Sequence, residues 1–113
     1  MLPEKGLLLR IFIGEDDKCK NGRPLYEEIV LRARELNLAG ATVIKGSMGF
    51  GKTSRIHTSK FLALSEDLPV VIEIVDTEEK INSLMPFLEE VVVGGMITLE
   101  KVTILKYTGV NRE

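Results

Sequence analysis

The chain has one cysteine, one histidine, four prolines and no tryptophan, and it lacks glutamine altogether. A single cysteine excludes an internal disulfide framework. Cys19 sits in the polar stretch Glu15 to Asn21 with no histidine or basic pair fixed beside it, so it reads as a tolerated free thiol in a reducing, cytoplasmic setting. One histidine and one distant cysteine cannot build a structural zinc site within one chain. No stretch reaches the roughly 18 apolar residues of a membrane span. The apolar run at the start meets Glu4 and Lys5 too soon for a signal peptide. Direct membrane insertion is therefore not expected. A net charge of −2 argues against a protein that coats nucleic acid. The missing glutamine, beside abundant Glu and Lys, leans toward a heat-adapted chain.

Against these absences stand 113 residues, 44% of them apolar and 28% charged. That is the balance of one globular domain with a modest core. Leu7 to Ile13 is apolar and stops at Gly14, the signature of a strand. Pro24 then opens a helix on which Leu25, Ile29, Ala33 and Leu36 recur at helical spacing, and Asn37 and Gly40 end it. Ala41 to Lys45 reads as a second strand. Gly46 to Thr58 has no clean period and reads as a long loop, with a short strand beginning at Phe61 to Leu64. Val70 to Val75 is the strongest strand. Asp76 with Glu79 reads as a capping box for a second helix, and Pro86 should kink or break that helix. Met96 to Tyr107 holds the last strand, with Val102, Ile104 and Tyr107 as core candidates, and residues 108–113 form a tail.

The order strand, helix, strand, loop, strand, helix, strand predicts a ferredoxin-like α+β sandwich, βαββαβ, with two helices on one face of a four-stranded antiparallel sheet. Leu7 to Leu9 and Val70 to Ile72 are apolar at both parities. Strands of that kind are covered on both faces, so the helix-free face should be buried by another subunit.

Residues 46–53, GSMGFGKT, match the phosphate-cradling loop G-x-x-x-x-G-K-[ST]. Glycines allow a nest of backbone N–H groups, lysine neutralises phosphate and threonine reaches magnesium. A small nucleotide hydrolase working through Lys52 and Thr53 is one reading. Against it, Ser54 to Ser65 lacks the helical periodicity that should follow, and the chain is short for a parallel sheet of five strands. A glycine-rich loop that binds phosphate on a different fold is another.

The run from Gly49 to Ile81 carries a likeness of its own. It contains Gly49-Phe50-Gly51, then Ser54-Arg55-Ile56-His57-Thr58, then Leu64-Ser65 with Asp67 to Asp76. Gly95, Thr98, Glu100 and Val102 follow in the later G-x-x-T-x-E-x-V spacing. In these motifs the chain resembles the PII-like proteins of the domain-of-unknown-function family one-ninety, over about residues 6 to 107. The resemblance implies one PII-like domain over residues 1–113, assembled as a homotrimer. It implies a regulator and not an enzyme, binding an adenine nucleotide, ADP or ATP with magnesium as companion ion, in the cleft between neighbouring subunits. Residues 46–58 would be the T-loop region that meets a protein partner, and residues 93–98 the B-loop region that clasps phosphates. Genomic association of such proteins with a fluoride exporter points to a membrane transporter as that partner. The modified tyrosine of the PII T-loop has no counterpart here.

Mapped onto this chain, the nucleotide-binding candidates are Gly46, Met48, Gly49, Phe50, Gly51, Lys52, Arg55, Gly94, Gly95, Met96 and Lys101. Arg55 would clamp a phosphate or bridge to Glu66 or Asp67. Phe50, between glycines, would stack on a base or anchor a partner. His57 is a loop hydrogen-bonder, a ligand contact or, with three copies at a trimer axis, a metal ligand; the last defines a third reading, a metal-responsive trimer resembling cation-tolerance proteins. Glu73, inside an apolar strand, needs a cation, and Lys101 or Lys106 is the expected partner.

Overall fold

The computed structural model describes residues 4–50, 56–58 and 67–108. Six strands and two helices follow in order: β1 (Glu4–Gly14), α1 (Leu25–Glu35), β2 (Thr42–Lys45), β3 (Met48–Phe50), β4 (Ile56–Thr58), β5 (Pro69–Asp76), α2 (Glu78–Val91) and β6 (Met96–Ile104). Four of the strands form one antiparallel sheet in the order β2-β5-β1-β6. The two helices lie on one of its faces, the α+β sandwich expected from the order of elements.

Period-two alternation decides which side chains meet those helices. Leu9, Ile11 and Ile13 of β1 and Val70, Ile72 and Ile74 of β5 are fully or almost fully buried. They pack with Leu25, Ile29 and Ala33 of α1 and with Ile81, Leu84 and Leu88 of α2 in one core cluster. The opposite parity builds the helix-free face in rows across the strands. Ile44, Val71, Phe12 and Met96 make one apolar row, and Thr42, Glu73, Arg10 and Thr98 the polar row beside it. The Arg10 guanidinium donates from Nε to Glu73 Oε2 at 2.9 Å and from Nη1 to Glu100 Oε1 at 3.0 Å. The bond to Glu73 holds its pKa above the ordinary value. The partner of Glu73 is thus Arg10 rather than Lys101 or Lys106, because β1 lies between β5 and β6 in the sheet.

The helix ends follow from local chemistry. Pro24 stands at the N-cap of α1, one residue before its first turn. Asn37 adopts φ 63°, the left-handed value that Asn tolerates. Its N–H donates to Arg34 O and that of Leu38 to Ala33 O, both at 3.0 Å, which is a Schellman closure. At α2 the cap is Thr77, whose side chain accepts from Lys80 N, and not Asp76. β5 continues through Asp76, paired with Leu7, and the Asp76 carboxylate instead accepts from Ala39 N and Thr77 N, both at 2.7 Å. α2 is also one continuous helix through Pro86. Pro86 is exposed, as is Asn82 four residues earlier, so the carbonyl that loses its partner faces water.

Two further expectations change. Residues 46–58 are not loop throughout: β3 and β4 pair antiparallel, Gly49 opposite His57. Val102 and Ile104 are half-buried and Tyr107 is exposed. Val102 and Ile104 pair with Gly6 and Glu4 on the helix-free side, and Tyr107, beyond the strand, donates from its hydroxyl to Ala39 O at 3.0 Å. The short strand anticipated at Phe61 to Leu64 lies outside the described residues, as does the tail beyond residue 108. Cys19 is free and half-buried; burial first, then Glu28, pushes its thiol pKa up.

Candidate functional site

β2 ends, β5 begins, β1 ends and β6 begins at the same end of the sheet, since Lys45 pairs with Val70, Gly14 with Pro69 and Phe12 with Met96. Both glycine-rich turns sit there. The strand order places them at opposite edges, Gly46 beyond β2 and Gly94-Gly95 before β6. Three strand spacings separate those edges, about 14 Å.

The glycines are required by close approach. The Gly46 N–H donates to Pro69 O at 2.7 Å, and a Cβ there would stand 2.8 Å from Pro69 Cγ. A Cβ on Gly49 would stand 3.1 Å from the same atom, and one on Gly95 2.6 Å from the carbonyl oxygen of Phe12. Gly94 has nothing within 4 Å of that position. Among the described glycines only Gly22 has positive φ, so left-handed backbone is not what selects glycine at either turn.

Of the residues singled out in the sequence, Gly46, Met48, Gly49 and Phe50 gather at the β2 edge, and Gly94, Gly95 and Met96 at the β6 edge. Met48, Phe50 and Met96 are exposed. Lys101 is not brought to either turn: it pairs with Leu7, five residues along β6 from Met96, about 17 Å away. Gly51, Lys52 and Arg55 lie outside the described residues. Within one protomer the candidates thus form two half-sites.

Sequence reasoning passed over Lys45, which directly precedes Gly46. Its Nζ donates to Glu15 Oε2 at 2.8 Å and stands 5.4 Å from the centre of the Tyr26 ring. The bond to Glu15 raises the ammonium pKa. The signal available was a lysine at the last strand position before a glycine turn. The same end is tied together by Glu15 N to Leu68 O at 2.8 Å and by Asp16 N to Asp67 Oδ1 at 2.7 Å.

The P-loop reading loses its scaffold. Met48–Phe50, in the middle of the motif, is a paired strand, Ile56–Thr58 is its partner, and the main sheet is antiparallel. Asp76, the acid at the end of β5, is engaged by two backbone N–H groups. No group of three or more His, Cys, Asp or Glu side chains is placed to hold a metal among the described residues. A separate cleft of about 570 Å³ opens at the far end of the sheet, lined in part by Glu4, Thr42, Glu73, Val75, Lys106 and Tyr107; none of the described nucleotide-binding candidates lines it.

A four-stranded antiparallel sheet with two helices on one face is the ferredoxin-like α+β arrangement. Solved structures share it. A putative PII-like signaling protein from Thermus thermophilus superposes with a TM-score of 0.63 at 15% identity, covering 89% of this chain and 90% of that one. CPII, a nitrogen regulatory PII-like protein from Thiomonas intermedia bound to ADP, AMP and bicarbonate, superposes with a TM-score of 0.61 at 18% identity, covering 91% of each chain. Residues 6–104 match the family DUF190, described as "Uncharacterized ACR", and the chain belongs to that family. A UPF0166 protein of Aquifex aeolicus is 46% identical over 103 residues, 89% of this chain and 94% of that protein. A UPF0166 protein of Methanocaldococcus jannaschii is 40% identical over 88 residues, 78% and 80% of the two chains. No described helix is long and apolar enough to cross a membrane.

Proposed function

We propose that this protein is a cytoplasmic PII-like regulator without catalytic turnover. It forms a homotrimer of single-domain chains, binds ADP or ATP at the clefts between subunits, and presents residues 46–58 to a protein partner, with a membrane transporter as the partner class. The phosphates rest on the backbone of the two glycine turns, residues 46–49 and 93–98. Magnesium accompanies ATP through the phosphate oxygens, because the described side chains supply no carboxylate cluster to hold it.

One observation carries the reading. The two glycine turns share an end of the sheet but stand at opposite edges, so a single ligand can use both when neighbouring copies bring unlike edges together. The apolar row Ile44, Val71, Phe12 and Met96 on the helix-free face supports assembly in the same way. The ADP and AMP bound to CPII support the ligand class. Nucleotide regulates only if it binds two states of the loop with different affinity.

Thermal denaturation with ATP, ADP and AMP tests the proposal. A nucleotide at a hundred times its dissociation constant adds about 2.7 kcal/mol of stability, and ATP turnover stays at background. The absence of any shift overturns the nucleotide reading, and robust hydrolysis that depends on Lys52 replaces the regulator with an enzyme.

A further inference from the structure

Glu15, the residue after β1, touches both strands between which residues 46–68 run. Its carboxylate accepts from Lys45 Nζ at 2.8 Å, at the end of β2, and its own N–H donates to Leu68 O at 2.8 Å, just before β5. The next residue repeats the second tie, Asp16 N–H donating to Asp67 Oδ1 at 2.7 Å. Between the two strands the Gly46 N–H donates to Pro69 O, and Gly49 lies against Pro69. The turn after β1 thus holds the approach to β5 through backbone N–H groups and the end of β2 through one ion pair.

These ties differ in how readily they exchange. The backbone groups are fixed by the chain. Lys45 has a flexible stem and rotatable donors; its side chain is 48% exposed and that of Glu15 30%. An ion pair this open to water contributes little. Lys45 directly precedes Gly46, and a terminal phosphate carries more charge than one carboxylate. An anion at the glycine turn therefore competes with Glu15 for the ammonium on favourable terms. The ammonium also stands 5.4 Å from the centre of the Tyr26 ring, so its departure changes that ring's surroundings.

We infer that Lys45 is a phosphate-binding residue held in reserve by Glu15. A nucleotide phosphate at the Gly46–Gly49 turn draws the ammonium off Glu15, and the release frees the end of β2 from the turn after β1. Glu15 is then a competitor that lowers affinity for the anion. The exchange carries ligand occupancy into the root of the β3–β4 hairpin. This rests on the nucleotide reading proposed above, and it operates within one chain.

Calorimetric titration with ADP tests it on the parent, Lys45→Gln, Glu15→Gln and the double variant. Lys45→Gln should weaken ADP about ten- to a hundredfold, the loss of one charge-assisted contact. Glu15→Gln should tighten it by up to about fivefold, the worth of the exposed pair it removes, and only where Lys45 is present. Weakening by both single variants, the outcome for a pair that merely shapes the turn, overturns the exchange and leaves the nucleotide reading standing. So does a Glu15→Gln gain that persists in the double variant, since the carboxylate then acts on the anion directly. The Tyr26 ring gives a second readout with the native pair in place. The chain has two tyrosines, so in tyrosine-labelled protein Tyr107→Phe identifies the Tyr26 resonances. Saturating ADP should shift them in the parent and leave them in place in Lys45→Gln. Resonances unmoved in a parent that binds ADP, or moved equally in Lys45→Gln, overturn the exchange. A parent that binds no ADP overturns the nucleotide reading and the exchange with it.

Discussion

At Gly94 and Gly95 two adjacent identical residues have opposite constraints. A Cβ on Gly95 would meet the Phe12 carbonyl at 2.6 Å and Ile13 Cγ2 at 3.1 Å, so substitution pushes β6 away from β1 where their pairing begins. Overpacking of this kind costs about 1–3 kcal/mol. Gly94 opens to free space, and a surface change there stays within about 0.5 kcal/mol. Urea denaturation of Gly95→Ala and Gly94→Ala should show this difference. Gly94→Val is then the variant that reports on ligand alone: it should keep the parent's stability and weaken ADP binding, because its side chain blocks approach to the turn's N–H groups. Equal denaturation midpoints for the two alanine variants would remove the packing argument. Nothing in the letters Gly-Gly distinguishes the pair. The difference arises from the β1–β6 register, which single-residue reasoning does not supply.

At the scale of elements, legibility followed the length of the pattern. The long apolar strands and both amphipathic helices declare themselves, since burial against one face imposes a period that eight or more residues can display. The β3–β4 hairpin has strands of three residues each, too short for any period, and its Gly49 is there to pass Pro69. The cap of α2 moved from Asp76 to Thr77 because strand pairing with Leu7 holds Asp76 extended, a long-range constraint that outweighs a local capping pattern. The candidate site was legible as glycine turns but not as two separate halves, because the strand order that parts them is a property of the whole sheet. Pro86 tests the balance between local preference and packing. A helix-interior proline costs about 3 kcal/mol relative to alanine, partly offset by its stiffening of the unfolded chain, about 0.4–1 kcal/mol. Since α2 runs through it with Ile81, Leu84 and Leu88 buried on the other side, tertiary packing carries that cost. Pro86→Ala should therefore stabilise the protein by about 2 kcal/mol in chemical denaturation. A neutral or destabilising result means that the proline ring makes a contact the helix needs.

For the whole molecule the decisive feature is the polar row in the middle of the helix-free face. One guanidinium serves two carboxylates there: Arg10 reaches Glu73 and Glu100, and the three side chains remain partly open to water in the single chain. Exposed ion pairs contribute little to stability. If copies assemble over this face, the same pairs are taken out of water, and removing one partner leaves an uncompensated charge in the interface. Arg10→Ala thus separates the two situations. In a monomer its denaturation midpoint should shift slightly and without dependence on protein concentration. In the assembly, the concentration at which copies dissociate should rise roughly a hundredfold or more. Sedimentation of parent and Arg10→Ala across protein concentration at neutral pH reads the difference. An Arg10→Ala chain that assembles like the parent at neutral pH would place this face outside the subunit contact and return it to solvent.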